Sequence, residues 1–274
     1  MSVNYLKSRI EEREMLKQQI GVEFKQVFTF NRVLTWFLII TVPVWIQFLI
    51  INDGYFFTDN IDLYGRLLNG ISAMIFPILV LFVFADTIVH ERNNNYLTYT
   101  KIRIDFNTYL NAKIIVNGLL SFGVLFLYAF LPFLFSQYIN PQVAFIPNVG
   151  GGGDLPGTVT FDQFLVYGPF AYGFMFSLWV GINGVLYATL PLILCLILDN
   201  SFVALSIPFV WYQAMSFVSA MLGISKFAPL YTVFPYSITQ QELWTVLVPF
   251  TILLLTVLMS YLYLKKRNST EWSF

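Results

Sequence analysis

The chain has 274 residues, of which 57% are hydrophobic and only 11% are charged, and its mean hydropathy is +0.69. A soluble domain usually contains about 45–50% apolar and about 25% charged residues, so this composition excludes an ordinary soluble protein and indicates an integral membrane protein. Fifteen basic and fifteen acidic residues balance, and therefore no net positive field favours nucleic acid as a partner.

The N-terminal segment is predicted to form a helix ahead of the first apolar run. It opens with the polar stretch MSVNYLKSRIEEREMLKQQ and lacks the apolar core of a signal peptide. Apolar side chains then recur every four residues: Leu16, Ile20, Phe24 and Phe28. Polar residues, among them Gln19 and Glu23, occupy the other faces. We expect an amphipathic interfacial helix over residues 8–30, with its apolar face toward lipid and its charges toward water; the alternative is a helix packed against a partner.

Six apolar runs have about the 20 residues that a helix needs to cross the hydrocarbon core of a bilayer. They are residues 33–51, 67–85, 112–135, 165–198, 202–222 and 243–264. The fourth run is too long for one straight span, so it is either one bent helix or two. The expected fold is an all-α polytopic membrane protein, with residues 1–274 forming one transmembrane domain.

Lysine and arginine are distributed very unevenly between these runs. Thirteen of the fifteen lie in residues 1–32, in residues 85–113 and in the C-terminal tail, whereas Arg66 and Lys226 lie on the other side. Because basic loops are retained in the cytoplasm, we expect both termini of this plasma-membrane protein to be cytoplasmic. The stretch NVGGGGDLPG would then be a flexible external loop, and it lacks the Lys-Ser/Thr pair of a phosphate-binding loop.

The polar side chains near the centres of the predicted spans are neutral. The candidates for lining a transport pathway are Gln47, Asn69, Asn117, Ser121, Asn183 and Gln213. The alternative for each is a hydrogen bond between neighbouring helices. Ion-coupled transporters usually place ionisable residues at this depth, so their absence from the predicted centres disfavours that class.

Catalytic chemistry finds little support in the sequence. His90 is the only histidine, and with Asp86 it offers two ligands where a catalytic metal site needs about three. Cys195 is the only cysteine and lies in an apolar run, so we expect a small buried side chain. We therefore predict no catalytic residue and no metal site.

A polar insert, residues 89–106, separates the second and third predicted spans. Its composition suits a surface where another protein docks, because aromatic side chains dominate binding energy and rim charges set the register. The anchors would be Tyr96, Leu97 and Tyr99, and the rim charges would be Glu91, Arg92 and Lys101. The alternative is a solvated turn without a partner.

This arrangement resembles the permease subunits of ABC-type-2 exporters, which have the type V exporter fold. The resemblance in sequence is carried by VHERNNNYLTYTKIRIDFNTYLNAKII, residues 89–115. Such permeases often have a Glu-Arg pair after the second span, then a short amphipathic helix, and then a polar residue and a lysine leading into the third span. The matching residues are Glu91, Arg92, Leu97, Tyr109 and Lys113. The chain departs from the pattern at Asn95, Tyr96 and Asp105, where the family often has Gly-Thr and, later, proline.

The resemblance implies that the chain pairs with a second copy of itself or with a related permease, and that the pair docks on two ATPase subunits. The coupling residues would be Glu91, Arg92, Asn95, Tyr96, Leu97, Tyr99 and Lys101. The sequence contains no G-x-x-x-x-G-K-[ST] run, so ATP and Mg²⁺ would bind to the partner chain and this chain would have no cofactor. It would be a permease subunit and not an enzyme by itself.

The predicted pathway residues favour an amphipathic or hydrophobic cargo, such as a peptide, a drug-like compound or a lipid. The resemblance adds that Gram-positive bacteria use such permeases to export antimicrobial peptides or to protect themselves from them. Two other classes stay open at this stage. One is a membrane-embedded enzyme that acts through His90, and the other is an accessory or immunity protein that binds a partner without transport.

Overall fold

The computed structural model describes residues 3–52, 59–94, 96–143, 145–146, 161–237 and 240–267. Every regular element in these ranges is a helix, and five of the helices are long and apolar enough to cross a membrane. The predicted class, an all-α membrane protein, is confirmed. The glycine-rich stretch NVGGGGDLPG lies outside the described residues.

In chain order the α-helices are α1 (Val3–Val27), α2 (Phe30–Asn52), α3 (Asn60–Leu68), α4 (Ile71–Met74), α5 (Phe76–Phe84), α6 (Asp86–Asn93), α7 (Tyr96–Lys101), α8 (Phe106–Leu134), α9 (Asn140–Val143), α10 (Pro169–Ile197), α11 (Ser201–Met221), α12 (Pro229–Val233) and α13 (Trp244–Arg267). A π-helical turn, Phe135–Ile139, joins α8 to α9. Three 3₁₀ turns complete the described elements: Asp162–Tyr167, Ser225–Phe227 and Pro235–Ser237.

The five membrane-length helices correspond to five of the six predicted runs. Helices α2, α11 and α13 match the first, fifth and sixth runs closely. Helix α8 begins at Phe106, earlier than predicted, because the Asp105 carboxylate accepts a 3.0 Å hydrogen bond from the Thr108 N–H and caps the helix there. The fourth run is one helix, α10, which continues through Pro191 without a break.

The predicted second span, residues 67–85, is not one helix. The segment from α3 to α5, which we call the broken segment, is interrupted at Gly70 and again at Ile75. Gly70 has a φ of 64°, a left-handed conformation that glycine adopts without strain. Hydropathy identified the run because its average composition is apolar, but hydropathy does not register a break in the backbone.

Pro77 explains the second break. Proline has no N–H and cannot donate to the carbonyl of Ala73, four residues earlier. The hydroxyl of Tyr212 on α11 donates to that carbonyl instead, at 2.9 Å. The group that the proline leaves without a helical partner is therefore satisfied by a neighbouring helix.

The next carbonyl along the broken segment is satisfied in the same way. The N–H of Ile78 donates to Ile75 at 2.9 Å, in a tighter turn, and not to Met74. The Gln213 amide on α11 donates to the Met74 carbonyl at 2.8 Å. Irregular backbone at membrane depth is tolerated where neighbouring protein supplies its hydrogen bonds, and α11 supplies those of Ala73 and Met74.

Helices α8 and α10 form the centre of the bundle, and small residues on α10 let them approach closely. A Cβ atom added to Gly173 would lie 2.3 Å from the Phe133 ring, and one added to Gly184 would lie 2.1 Å from Leu125 Cδ1. Ser177, between the two glycines, is fully buried and donates to the Gly173 carbonyl at 2.7 Å. Close backbone approach through small residues is a common way for membrane helices to associate.

One end of the bundle collects α1, α6, the start of α8 and the C-terminal ends of α10 and α13; we call it the α1 end. Helix α1 packs along α8, and Arg267 at the end of α13 donates to the Ile197 carbonyl of α10 at 3.1 Å. At the opposite end, the Tyr236 hydroxyl donates to Asp62 Oδ1 at 2.5 Å. Burial raises the pKa of Tyr236 far above its ordinary value, so this hydroxyl stays a donor.

Candidate functional site

The insert contains most of α6, all of α7 and the turn that follows, and it lies at the α1 end. Lys113 of α8 connects it to α1. The ammonium group is fully buried, lies 2.6 Å from Glu23 Oε2 and also contacts Glu91 Oε1 of the insert. The rings of Phe84 and Tyr109 each have their centroid 5.6 Å from the Lys113 nitrogen, where an aromatic face stabilises a cation.

Both carboxylates have a further hydrogen bond. The Tyr109 hydroxyl donates to Glu91 Oε2 at 2.7 Å, and the Gln19 amide donates to Glu23 Oε1 at 2.8 Å. We call these five residues the charged cluster: Gln19, Glu23, Glu91, Tyr109 and Lys113. A buried ion pair adds little net stability, but removal of one partner strands a buried charge and costs about 3–5 kcal/mol. The charged cluster therefore fixes the arrangement of α1, α6 and α8.

The expected exposure of three cluster residues is wrong. Gln19 and Glu23 were assigned to the water-facing side of α1, but both are buried. Glu91, expected as a rim charge, is only 8% exposed. The physical reason is Lys113: a buried ammonium needs anionic partners, and the helix faces that supply them turn inward.

The apolar stripe of α1 is also oriented differently from the prediction. Ile20 and Phe24 pack partly against the protein core and Leu16 is half-buried, so this face does not lie wholly toward lipid. Phe28 follows the end of α1, is 57% exposed, and stacks on Phe24 with ring centroids 6.2 Å apart. The periodicity predicted the helix correctly, but it could not say which neighbour the apolar face contacts.

Arg92 links the insert to α10. One guanidinium nitrogen donates to the Cys195 carbonyl at 2.9 Å and to the Leu198 carbonyl at 2.5 Å, and the other contacts Asp199 Oδ1 at 3.3 Å. The last carbonyls of a helix lack intrahelical partners, and the negative end of the helix dipole favours a cation there. Arg92 is thus bound to the end of α10, and its side chain is about a quarter exposed.

The exposed part of the insert is α7 and the turn after it. Tyr99 is 68% exposed and Ile102 is 83% exposed, while Tyr96 is 37% exposed and accepts a 3.4 Å hydrogen bond from Gln26 of α1. Ile102 was missing from the predicted docking residues. Its signal in the sequence was weak, because it lies between Lys101 and Arg103 in a segment whose charges dominate the pattern.

Three predicted coupling residues cannot be placed as contacts. Asn95 lies outside the described residues. Leu97 and Lys101 belong to α7 by their backbone, but their side chains lie outside the described part of the chain. The seven predicted residues therefore divide into two that bind inside the protein, two that are partly or largely exposed, and three without a described side chain.

The neutral polar residues of the predicted pathway are spread through the molecule. Asn117 and Ser121 are fully buried between α8 and α10, where the Asn117 amide donates to the Thr189 hydroxyl at 3.3 Å. Asn183 is buried and donates to the Trp179 carbonyl at 2.9 Å. For these three the structure gives hydrogen bonds within or between helices, the alternative that the sequence left open.

Gln47 and Asn69 lie together at the opposite end, where they line a cavity of about 220 Å³ with Arg66. Gln213 is committed to the Met74 carbonyl of the broken segment. A larger apolar groove, about 620 Å³, lies between α2 and the C-terminal part of α8 and includes Trp45 and Phe48 in its lining.

The residues considered for catalysis are placed apart from any cavity described above. His90 is exposed at the end of α6, and the side chain of Asp86 lies outside the described part. Cys195 is buried, as expected. In the ranges that the structure describes, no group of three His, Cys, Asp or Glu residues could hold a metal ion.

The fold and these contacts define a class: a polytopic helical membrane protein with a polar insert that is bound to three of its helices. No protein-family model matches the chain, and neither the curated proteins nor the solved structures include a match. Function must therefore be argued from the arrangement of the insert itself.

Proposed function

We propose that this chain is the membrane-embedded permease subunit of an ATP-driven exporter, and that the insert is where a separate ATPase subunit docks. The single observation that carries the proposal is that one part of the insert is bound inside the protein while another part is exposed. Its first helix is fixed inside the protein by Glu91 and Arg92, while Tyr99 in its second helix and Ile102 in the turn that follows are exposed.

Such an insert has the properties that a mechanical coupling element needs. Exposed aromatic and aliphatic side chains supply binding energy at an interface. The contacts beneath them run to α8 through Lys113 and to the end of α10 through Arg92, the two helices at the centre of the bundle. A force applied to α7 would therefore reach both central helices through charged hydrogen bonds.

The proposed orientation has the α1 end in the cytoplasm. It is supported by the thirteen lysines and arginines in the segments that the sequence assigns to this side. ATP and Mg²⁺ are available there to a partner ATPase. In this proposal two permease chains, identical or related, pair with two ATPase subunits in a bacterial plasma membrane.

The proposed cargo is amphipathic or hydrophobic, such as a peptide, a drug-like compound or a lipid. The apolar groove beside Trp45 and Phe48, and the cavity at Gln47, Asn69 and Arg66, offer apolar and polar surface at the same end of the protein. A cargo with both kinds of surface fits that combination.

The test is co-purification of the full chain from its own host in mild detergent, followed by an assay for ATP hydrolysis and for nucleotide-labelled protein. We expect an ATPase subunit to co-purify with the wild-type chain and to be lost at least tenfold from the variants Tyr99→Asp and Ile102→Asp. The matched control is Tyr167→Asp, because Tyr167 is 78% exposed but lies before α10, at the opposite end.

If no ATP-hydrolysing partner co-purifies with the wild-type chain, the proposal is wrong. Equal loss of the partner in the Tyr167→Asp control would mean that α7 is not the docking surface. If the ATPase subunit still co-purifies with both Tyr99→Asp and Ile102→Asp, the same conclusion follows.

A further inference from the structure

The charged cluster contains an imbalance of charge that docking of a partner does not explain. Two carboxylates, Glu23 and Glu91, surround one ammonium group, that of Lys113. All three side chains are buried, with exposures of 1%, 8% and 0%. With every group in its ordinary charge state, the cluster would carry one uncompensated negative charge in the protein interior, which is costly.

Among the side chains that the structure describes, the groups that face Glu23 do not cancel that charge. Lys113 approaches from α8 and Glu91 from α6, Gln19 lies one turn earlier on α1, and Tyr96 of α7 and Tyr109 of α8 contribute hydroxyl groups nearby. Of these groups only Lys113 is cationic, and Glu91 shares it.

The two carboxylates are unequally supported. Glu91 accepts hydrogen bonds from the Lys113 ammonium and from the Tyr109 hydroxyl. Glu23 has Lys113 on one oxygen and the neutral Gln19 amide on the other. Burial raises the pKa of Glu23 above its ordinary value, and the attraction of Lys113 only partly opposes this effect.

Gln19 suits Glu23 in either protonation state. The amide now donates to Glu23 Oε1. A glutamine side chain also carries a carbonyl oxygen, so when it turns over it accepts a hydrogen bond from a protonated carboxyl group. A neutral Glu23 therefore has a hydrogen-bond acceptor within reach on its own helix.

We infer that the charged cluster is a proton-binding site, which holds one proton on Glu23 and is electrically neutral while α1 is packed against α8. A hydronium ion of the solvent at the α1 end supplies the proton: one of its O–H bonds breaks, an O–H bond forms at the Glu23 carboxyl group, and a water molecule is left. Loss of the proton leaves two carboxylates on one ammonium group and weakens the packing of α1. This site does not depend on the proposed export function.

The experiment is infrared spectroscopy of the full chain in lipid nanodiscs at neutral pH, with ¹³C-labelled glutamate to identify the carbonyl stretch of a protonated carboxyl group. We expect the band in the wild-type chain and its loss in Glu23→Gln. We also expect its loss in Glu91→Gln, because one carboxylate then faces one ammonium group. Glu14→Gln is the matched control, since Glu14 is exposed on the same helix, and it leaves the band unchanged.

The variant Lys113→Met is expected to strengthen the infrared band of the protonated carboxyl group. Removal of the ammonium group leaves two buried carboxylates, so the band grows about twofold if the variant folds. Absence of the band in the wild-type chain overturns the inference, and so does its persistence in Glu23→Gln. These outcomes are independent of whether an ATPase subunit binds, because the spectrum is recorded on this chain alone.

Discussion

Tyr212 and Gln213 are adjacent on α11, and each satisfies one carbonyl of the broken segment. An unsatisfied buried carbonyl costs about 1–3 kcal/mol. The sequence identified Gln213 as a polar residue in a span but gave no partner for it. Its partner lies 139 residues away and becomes available only because Pro77 interrupts the helix.

We predict that Tyr212→Phe destabilises the protein by about 1–3 kcal/mol, because the Ala73 carbonyl loses its donor and no water replaces it in a buried site. The measurement is thermal unfolding in detergent. Tyr263→Phe is the control, because Tyr263 is 56% exposed on α13. Equal stability of the two variants would contradict the role given to the Tyr212 hydroxyl.

Some residues of the charged cluster could be predicted from the sequence and others could not. The resemblance to ABC-type-2 exporter permeases singled out Glu91 and Lys113, and the structure joins them. Glu23 was read as a solvated charge, because helical periodicity describes the faces of one helix and not the helix that packs against it. The sequence pattern therefore could not predict that Glu23 contacts Lys113.

At the scale of elements, five of the six apolar runs predicted helices well, and the second run, residues 67–85, was wrongly read as one helix. A run is recognised by composition, which is preserved when a glycine and a proline divide the backbone, as Gly70 and Pro77 do here. The start of α8 was missed for a related reason. Asp105 is polar and lies in the predicted insert, yet its carboxylate begins the helix.

The contact between α8 and α10 is the element-scale feature most open to test. We predict that Gly173→Ala destabilises the protein by about 1–3 kcal/mol, because the new Cβ would lie 2.3 Å from the rigid ring of Phe133. Gly123→Ala is the matched control on α8, since an added Cβ meets nothing within 4 Å there.

Unfolding by denaturant in mixed micelles measures both glycine variants. We expect Gly123→Ala to be neutral or slightly stabilising, because alanine has the higher helix propensity. A Gly173→Ala variant as stable as this control would mean that the two helices separate easily and that their close approach is not required.

At the scale of the whole molecule, the raised pKa of Glu23 links stability to pH. A carboxyl group whose pKa is higher in the folded state stabilises the fold fully below its ordinary value of 4.5, and this contribution is lost as pH rises through the raised pKa. We predict that the melting temperature of the full chain falls as the pH is raised from acidic to alkaline.

Glu23→Gln provides the comparison for that pH series. It keeps the shape and a neutral hydrogen-bonding group, so its melting temperature varies less with pH than that of the wild-type chain. Parallel pH profiles for the two proteins would show that other groups govern the dependence. Hydrogen exchange of the amides in α1 locates the effect, since they lose protection first when Glu23 ionises.

The broken segment also has a consequence for motion. Two of its carbonyls are held by α11 through side chains, and a carbonyl left bare in hydrocarbon costs several kcal/mol. Any rearrangement that slid α11 away from α4 would incur that cost twice. Helices α4 and α11 are therefore expected to move together as a rigid unit, and a hinge in this bundle would lie elsewhere.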